Sequence, residues 1–507
     1  MDYKISHFEV ATERICLEQT AELPLDADFT VADYLGEIKN VLKCKITPYI
    51  TGKQLSGNAV SVEGIAHISI MYLDAEGMLS TAENEIPFKK LFEADTNLEN
   101  AYFDTTTDAI VHSCRAVTEK RFSVKGSVRI SNTAFIIERK NILSDIDSDC
   151  FEQLSGGTQA TTPLGIAEKP LIIDEELTLA QNMPSIHRII RNDTCAVITD
   201  CRIINNKIII KGNLRIDISY CAEDSNILKH SADIPFNQVI DMIGISELCE
   251  CEANVEVCGL NISARTAQNG ECRSFMMVAR LNITASARCN SEIPVLFDIY
   301  STKYKTSAKK SEVNFKRIIK QTNESFLCKK RLPLPEGSTC EVFDLWSSLN
   351  SVSSRTDQNG IIISGSVSVC ALIQNQTTGI EFFERIIDFE YPLNLEGKHF
   401  APHCKPRVKI LSCNYSVDNN EIEFKLELMI CATVYENTSV ALITEIEVDE
   451  ENPLVNDAAL IAYYADEGEN IWDISKHFLA NRCELFELNH ITEDVVKTPR
   501  MLIIPRM

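Results

Sequence analysis

The sequence predicts a mainly β chain: three tandem antiparallel, β-rich, sandwich-like repeat domains and a small C-terminal βααβ unit. Three observations carry this. Residues 277–285 and 422–430 alternate apolar with polar side chains at period two, the pattern of half-buried strands. A domain-sized pattern recurs three times. After residue 458 the apolar spacing changes to that of two short helices between two apolar strands.

The repeat is anchored by glycines. Residues 60–70, 208–218 and 361–371 each run through β-branched residues to Gly64, Gly212 or Gly365 and then alternate. These glycines are 148 and 153 residues apart, too far for a solenoid of short units. Phe88, Phe236 and Phe389 each follow their glycine by 24 residues, inside Ile86-Pro87-Phe88, Ile234-Pro235-Phe236 and Ile387-Asp388-Phe389. Upstream stand Leu23-Pro24-Leu25, Leu177-Thr178-Leu179 and Leu332-Pro333-Leu334. A glycine inside a strand marks a bulge or a close backbone approach, and a proline marks an edge or a strand start. A short helical piece is expected at 31–38. Several strands per repeat, separated by turn signals, predict sandwiches.

Composition sets the boundaries. The first repeat is assigned to 1–145 and the second to 168–303, with a linker at 146–167 that contains Ser155-Gly156-Gly157-Thr158. A basic polar linker with Lys305, Lys309 and Lys310 is placed at 304–322, the third repeat at 323–450 and the terminal module at 458–507. Gly/Ser-rich and charged polar runs of this kind read as solvated connections.

The bulk properties exclude several function classes. The chain has 507 residues, 73 acidic and 49 basic, for a net charge of −24. That field repels phosphates, so neither nucleic-acid binding nor an anionic membrane surface is expected. No stretch approaches the roughly 18 apolar residues that mark a membrane-helix candidate, so membrane insertion is not expected either. The residues after Met1 lack the apolar core of a signal peptide, which predicts a cytoplasmic protein. The 19 cysteines are odd in number and scattered, and read as reduced thiols used for packing. The densest group, Cys249, Cys251, Cys258 and Cys272, lacks zinc-site spacing, so no metal or cofactor is expected. No phosphate-binding loop, GxSxG or HExxH motif is present. The nine histidines are scattered, and neither His187 nor His490 has a neighbouring base or nucleophile in sequence. A non-enzyme is expected, although the abundant carboxylates leave a hydrolase as a further alternative.

The terminal module reads strand, helix, helix, strand. Asn470 suits an N-cap, with Asp473 three residues on as a short version of the capping box. Ile471, Ile474 and Phe478, then Leu485 and Leu488, fall on core-facing helical positions. Trp472 is read as core or half-buried. Pro505 ends the last strand because it donates no ladder bond.

On the residues Gly468-Glu469-Asn470, Ile471-Trp472-Asp473-Ile474-Ser475, Leu485-Phe486-Glu487-Leu488-Asn489 and Leu502-Ile503-Ile504-Pro505, the module resembles a LysM domain. LysM domains typically hold N-acetylglucosamine-containing glycans between two loops. The resemblance therefore implies glycan or partner binding at Gly468, Glu469, Asn470, Ile471, Trp472, Asn489, His490 and Ile491. Glu469-Asn470 replaces the family's aspartate-threonine and the second loop lacks its glycine, so weak glycan affinity is expected. Three β repeats followed by one LysM module resemble the SipL type of clostridial spore-coat morphogenesis protein, whose repeats are SPOCS domains. This implies a mother-cell protein that accumulates at the forespore surface. Its partners would be the basement-layer scaffold ATPase of the coat and other coat proteins, with the LysM module contributing to docking. The alternative is a cell-wall protein that binds peptidoglycan or N-acetylglucosamine glycan.

Overall fold

In the computed structural model, residues 3–505 are described apart from 224–225, 268–269, 336, 359, 378, 419–420 and 455–459. The expected start of the terminal module at 458 lies outside the described residues.

Each repeat is a sandwich of two three-stranded antiparallel sheets with one strand order. In the first repeat, β1 (Lys4–Thr30), β6 (Arg121–Asp147) and β5 (Tyr102–Thr118) form one sheet in that order. The other sheet is β2 (Ile38–Ser56), β3 (Ala59–Asp74) and β4 (Leu79–Glu93). The second repeat repeats this with β7 (Phe151–Thr178), β12 (Cys272–Ser301) and β11 (Glu250–Thr266), and with β8 (Ile186–Ile204), β9 (Lys207–Ala222) and β10 (Ile227–Asp241). The third uses β13 (Tyr304–Pro333), β18 (Glu421–Pro453) and β17 (His403–Asp418), and β14 (Ser338–Asp357), β15 (Gly360–Asn375) and β16 (Gly379–Asn394). The inward halves of the period-two pattern meet in one core per repeat, with Ile68 and Val124, Ile216 and Met277, and Ile363 and Phe424 among its members.

The glycine–phenylalanine offset is a cross-strand pair. Gly64 faces Phe88, Gly212 faces Phe236 and Gly365 faces Phe389. On the other side the neighbouring strand bulges, between Ile50 and Gly52, Ile198 and Asp200, and Leu349 and Ser351. A Cβ at these glycines would overlap the carbonyl oxygens of Tyr49, Val197 and Ser351 as well as the phenylalanine rings. The glycine is therefore required by a bulged backbone on one side and an aromatic on the other. Pro87 and Pro235 lie on the edge strands β4 and β10, where a missing N–H costs no ladder bond.

Three expectations about the repeats fail. Residues 31–38 form a short turn leading into β2, with no helix. The supposed linkers 146–167 and 304–322 lie largely within β7 and β13, whose first halves pair with the ends of β12 and β18. Their polar composition reflects strands with one solvated face. On the other face Ala160 of β7 and Val313 and Phe315 of β13 are buried, and they join Val10, Ile142, Ile293, Val295 and Leu442 in a cluster that draws on all three repeats.

A second shared cluster combines Met71, Leu73 and Leu79 with Ile190 and Cys221 and with Trp346, Cys370 and Leu372. Together with salt bridges at each junction, these clusters close the three repeats into a ring. Lys45 meets Asp193 at 2.7 Å, Arg191 meets Asp344 at 2.9 Å, and Lys43 meets Glu384 at 2.7 Å.

The terminal module consists of β19 (Leu460–Ala465), α1 (Ile471–Phe478), α2 (Arg482–Leu488) and β20 (Arg500–Pro505), with β19 and β20 antiparallel. Ala465, Ile471, Ile474, Leu485, Leu502 and Ile504 form its core, and Phe478 packs against it half-buried. Leu488, expected to face the core, is half-exposed at 49 %. The next helical position, Asn489, takes the inward place because its amide is needed there.

Candidate functional site

The first helix of the terminal module begins as the sequence suggests: Asn470 Oδ1 accepts the Trp472 N–H at 2.8 Å. Asn481 does the same for α2 by accepting the Glu484 N–H at 3.0 Å. These side chains satisfy donors that a helix start leaves free.

The two loops expected to form the groove are zipped together. The Gly468 N–H donates to the Val496 carbonyl (2.8 Å), the Val496 N–H to the Glu469 carbonyl (2.9 Å) and the Ile471 N–H to the Asp494 carbonyl (2.8 Å). The Glu469 carboxylate accepts from the Tyr463 hydroxyl at 2.8 Å and from the Asp466 N–H at 2.9 Å. Asn489 is buried: its Nδ2 donates to the carbonyls of Leu485 (2.9 Å) and Ile503 (2.7 Å), and its Oδ1 accepts the Ile503 N–H at 2.6 Å. It ties the end of α2 to β20. Ile471 is buried and Ile491 half-buried. Gly468, Asn470 and His490 are the candidate residues open to solvent, Gly468 at φ +93 and His490 at φ +52.

Trp472 points away from those loops and into the second repeat. Its ring meets Tyr300 edge-on at 5.2 Å, and its Nε1–H donates to Asp298 Oδ2 at 3.0 Å. Lys476, one turn along α1, donates to both Asp298 oxygens at 2.6 and 2.7 Å, and Lys310 of β13 lies 3.4 Å from the same carboxylate. Burial pushes the Asp298 pKa up, but the bonds from Lys476 and Trp472 outweigh it and hold the carboxyl below its ordinary 3.8. The Tyr300 hydroxyl donates to the Ala480 carbonyl at 2.7 Å, and Glu152 accepts the Arg482 N–H at 3.2 Å. The module is thus fastened to the paired ends of β7 and β12. Asp298, Tyr300 and Lys476 carry this junction, and no local sequence signal marks Asp298 or Tyr300, which lie more than 170 residues from their partners.

A concavity lies between the repeats. A cavity of about 510 Å³ is bordered by Lys45, Arg191, Asp193, Trp346 and Lys409, among others. Lys45, Asp193 and Trp346 each precede their repeat glycine by 19 residues. Aligning the repeats in full would therefore have shown one column turned toward the centre. Arg191 also stacks on Trp346 at 4.7 Å. Lys409 Nζ donates to the carbonyls of Ala196 (2.8 Å) and Val255 (2.7 Å), two edge-strand groups of the second repeat. Burial pushes its pKa down, and burial pushes that of Glu256 up.

Among known protein families, the model described as SipL, SPOCS domain matches residues 37–116 and 185–265. No curated protein matches the chain. The matched segments run from β2 through most of β5 and from β8 through most of β11, one whole sheet and the first strand of the return. Each faces the central cavity. The chain is similar to the SipL SPOCS domain over these parts of its first two repeats, and this similarity points to a sporulation-related protein.

Proposed function

We propose that this chain is a non-enzymatic structural protein of spore-envelope assembly, one that docks coat proteins onto the scaffold at the forespore surface and uses its terminal module as the adaptor. The observation that carries the adaptor reading is the outer face of the two-stranded β19–β20 sheet. Leu460, Tyr464, Met501 and Ile503 all lie exposed there, with Tyr464 opposite Met501 in the ladder. A contiguous apolar patch of this kind suits a protein surface. A glycan site would instead call for free amides beside an aromatic floor, whereas the loop amides named above are bonded within the module and Trp472 is committed to Tyr300. The ring of repeats supplies a fixed base, because all its junctions are closed by buried apolar clusters and ion pairs.

The test uses the full-length chain against the purified basement-layer scaffold ATPase and against peptidoglycan. Tyr464→Ser with Met501→Ser is expected to weaken scaffold binding at least about tenfold, since buried anchor residues dominate such contacts, while the fold stays unchanged by circular dichroism. Binding to peptidoglycan without binding to the scaffold would overturn the proposal in favour of a wall-binding protein.

A further inference from the structure

The cysteines that crowd residues 249–272 have a partner 50 residues upstream. The Sγ atoms of Cys201 and Cys251 lie 3.0 Å apart. Cys201 sits near the end of β8 and Cys251 at the start of β11, one strand from each sheet of the second repeat, and both thiols are half-buried. The first repeat carries a thiol contact across the same two strands, where Cys44 of β2 and Cys114 of β5 share a hydrogen bond. There Cys44 is buried, which shields it from reagents. In the third repeat the position equivalent to Cys201, 11 residues before the repeat glycine, is Ser354, and its Oγ donates to the Cys404 carbonyl at 3.2 Å. The seam between the sheets is thus bridged by a polar contact in every repeat, and the second repeat does it with two reachable thiols.

We propose that Cys201 and Cys251 form an oxidisable dithiol that closes to a disulfide across the seam of the second sandwich. Sulfurs already in contact need only small side-chain rotations to reach the bond length of about 2.05 Å. The oxidant is a low-molecular-weight disulfide. The Cys251 thiolate attacks one of its sulfurs, breaking that S–S bond and releasing one small thiolate. The Cys201 thiolate then attacks Cys251 Sγ in the mixed disulfide and releases the second. Two cysteine protons end on the two released thiolates, and two electrons pass to the oxidant. Cys251 is suited to the first step: the hydrogen bond from Cys201 and the charge of Arg288 together pull its pKa down against burial, while Cys201 is pushed up. The bond would restrict the unfolded chain across that 50-residue span. This inference does not depend on the envelope role.

The experiment treats the full-length native chain with oxidised glutathione, traps remaining thiols with an alkylating reagent and maps the peptides. The expected result is a Cys201–Cys251 linked pair with a mass loss of about 2 Da, two hydrogens, and a higher urea midpoint that dithiothreitol reverses. Cys201→Ser is expected to stop at a glutathione adduct on Cys251. Should that variant misfold, the wild-type map decides alone. Full alkylation of both cysteines after oxidation, or links from Cys251 spread over Cys249 and Cys289, would overturn the proposal.

Discussion

Trp472 is only 4 % exposed because its ring and its N–H each have a partner in the second repeat. The carboxylate of Asp298 is the hub of that contact, receiving Trp472, Lys476 and Lys310. Asp298→Asn removes the charge and is expected to weaken docking by about 1.5–3 kcal/mol, the range for hydrogen bonds to charged groups. Hydrogen exchange should then rise in both α1 and the end of β12 while the core of each sandwich stays protected. The pH dependence follows from the depressed pKa of Asp298. Its stabilising contribution is complete above 3.8 and is lost only as pH falls through the lower folded value. Docking followed by Trp472 fluorescence is therefore expected to be flat from pH 7 to about 4 in this term, with release only in stronger acid. Release near pH 6 would point to a group other than Asp298.

At the scale of the strand, the repeat glycines make the sharpest prediction. Gly212→Ala would press a methyl group onto the Val197 carbonyl and the Phe236 ring, and is expected to destabilise the chain by about 1–3 kcal/mol as overpacking does. Gly259, by contrast, directly follows a bulge in its own strand β11 and has only the Arg280 side chain near it, at 3.9 Å. Gly259→Ala is expected to fall within about 0.5 kcal/mol of the parent. Urea midpoints of the two variants check the pair, and equal values would mean that the bulged strand yields. The same scale explains why 146–167 and 304–322 misled. Residues such as Gly156, Gly157, Lys309 and Lys310 describe a solvated strand face as well as they describe a loop. Only the partner strand, 110 or more residues on, separates the two cases.

For the whole molecule, the ring depends on charges that come from different repeats. Arg191 and Asp344 have side chains 9 % and 2 % exposed, and Ser219 adds a bond to Asp344 at 2.6 Å. Removing Arg191 leaves Asp344 buried without its counter-charge. Arg191→Met is therefore expected to cost about 3–5 kcal/mol, whereas Arg191→Met with Asp344→Leu recovers much of that loss. Calorimetry of the two variants checks the difference. Loosening of the other two junctions in the single variant would be seen as faster exchange at Lys45 and Lys43.

The amino-acid sequence by itself determined the β class, the three repeats and their glycine–phenylalanine register, and the strand–helix–helix–strand order of the terminal module with its Asn470 cap. These are local or periodic properties: alternation, a glycine forced by a close approach, a cap two residues from its donor. Of the candidate binding residues, the sequence located the loops but not their exposure; it marked Trp472 for burial without showing its partners, and it gave no sign that Asn489 is taken up by packing. Tertiary structure alone decided that the apparent linkers are strands, that the repeats close around a cavity, that the terminal module rests on Asp298 and Tyr300, and that Cys201 meets Cys251. Each of these joins residues tens to hundreds of positions apart, and a single chain carries no periodic or local trace of which distant surfaces will exclude water together.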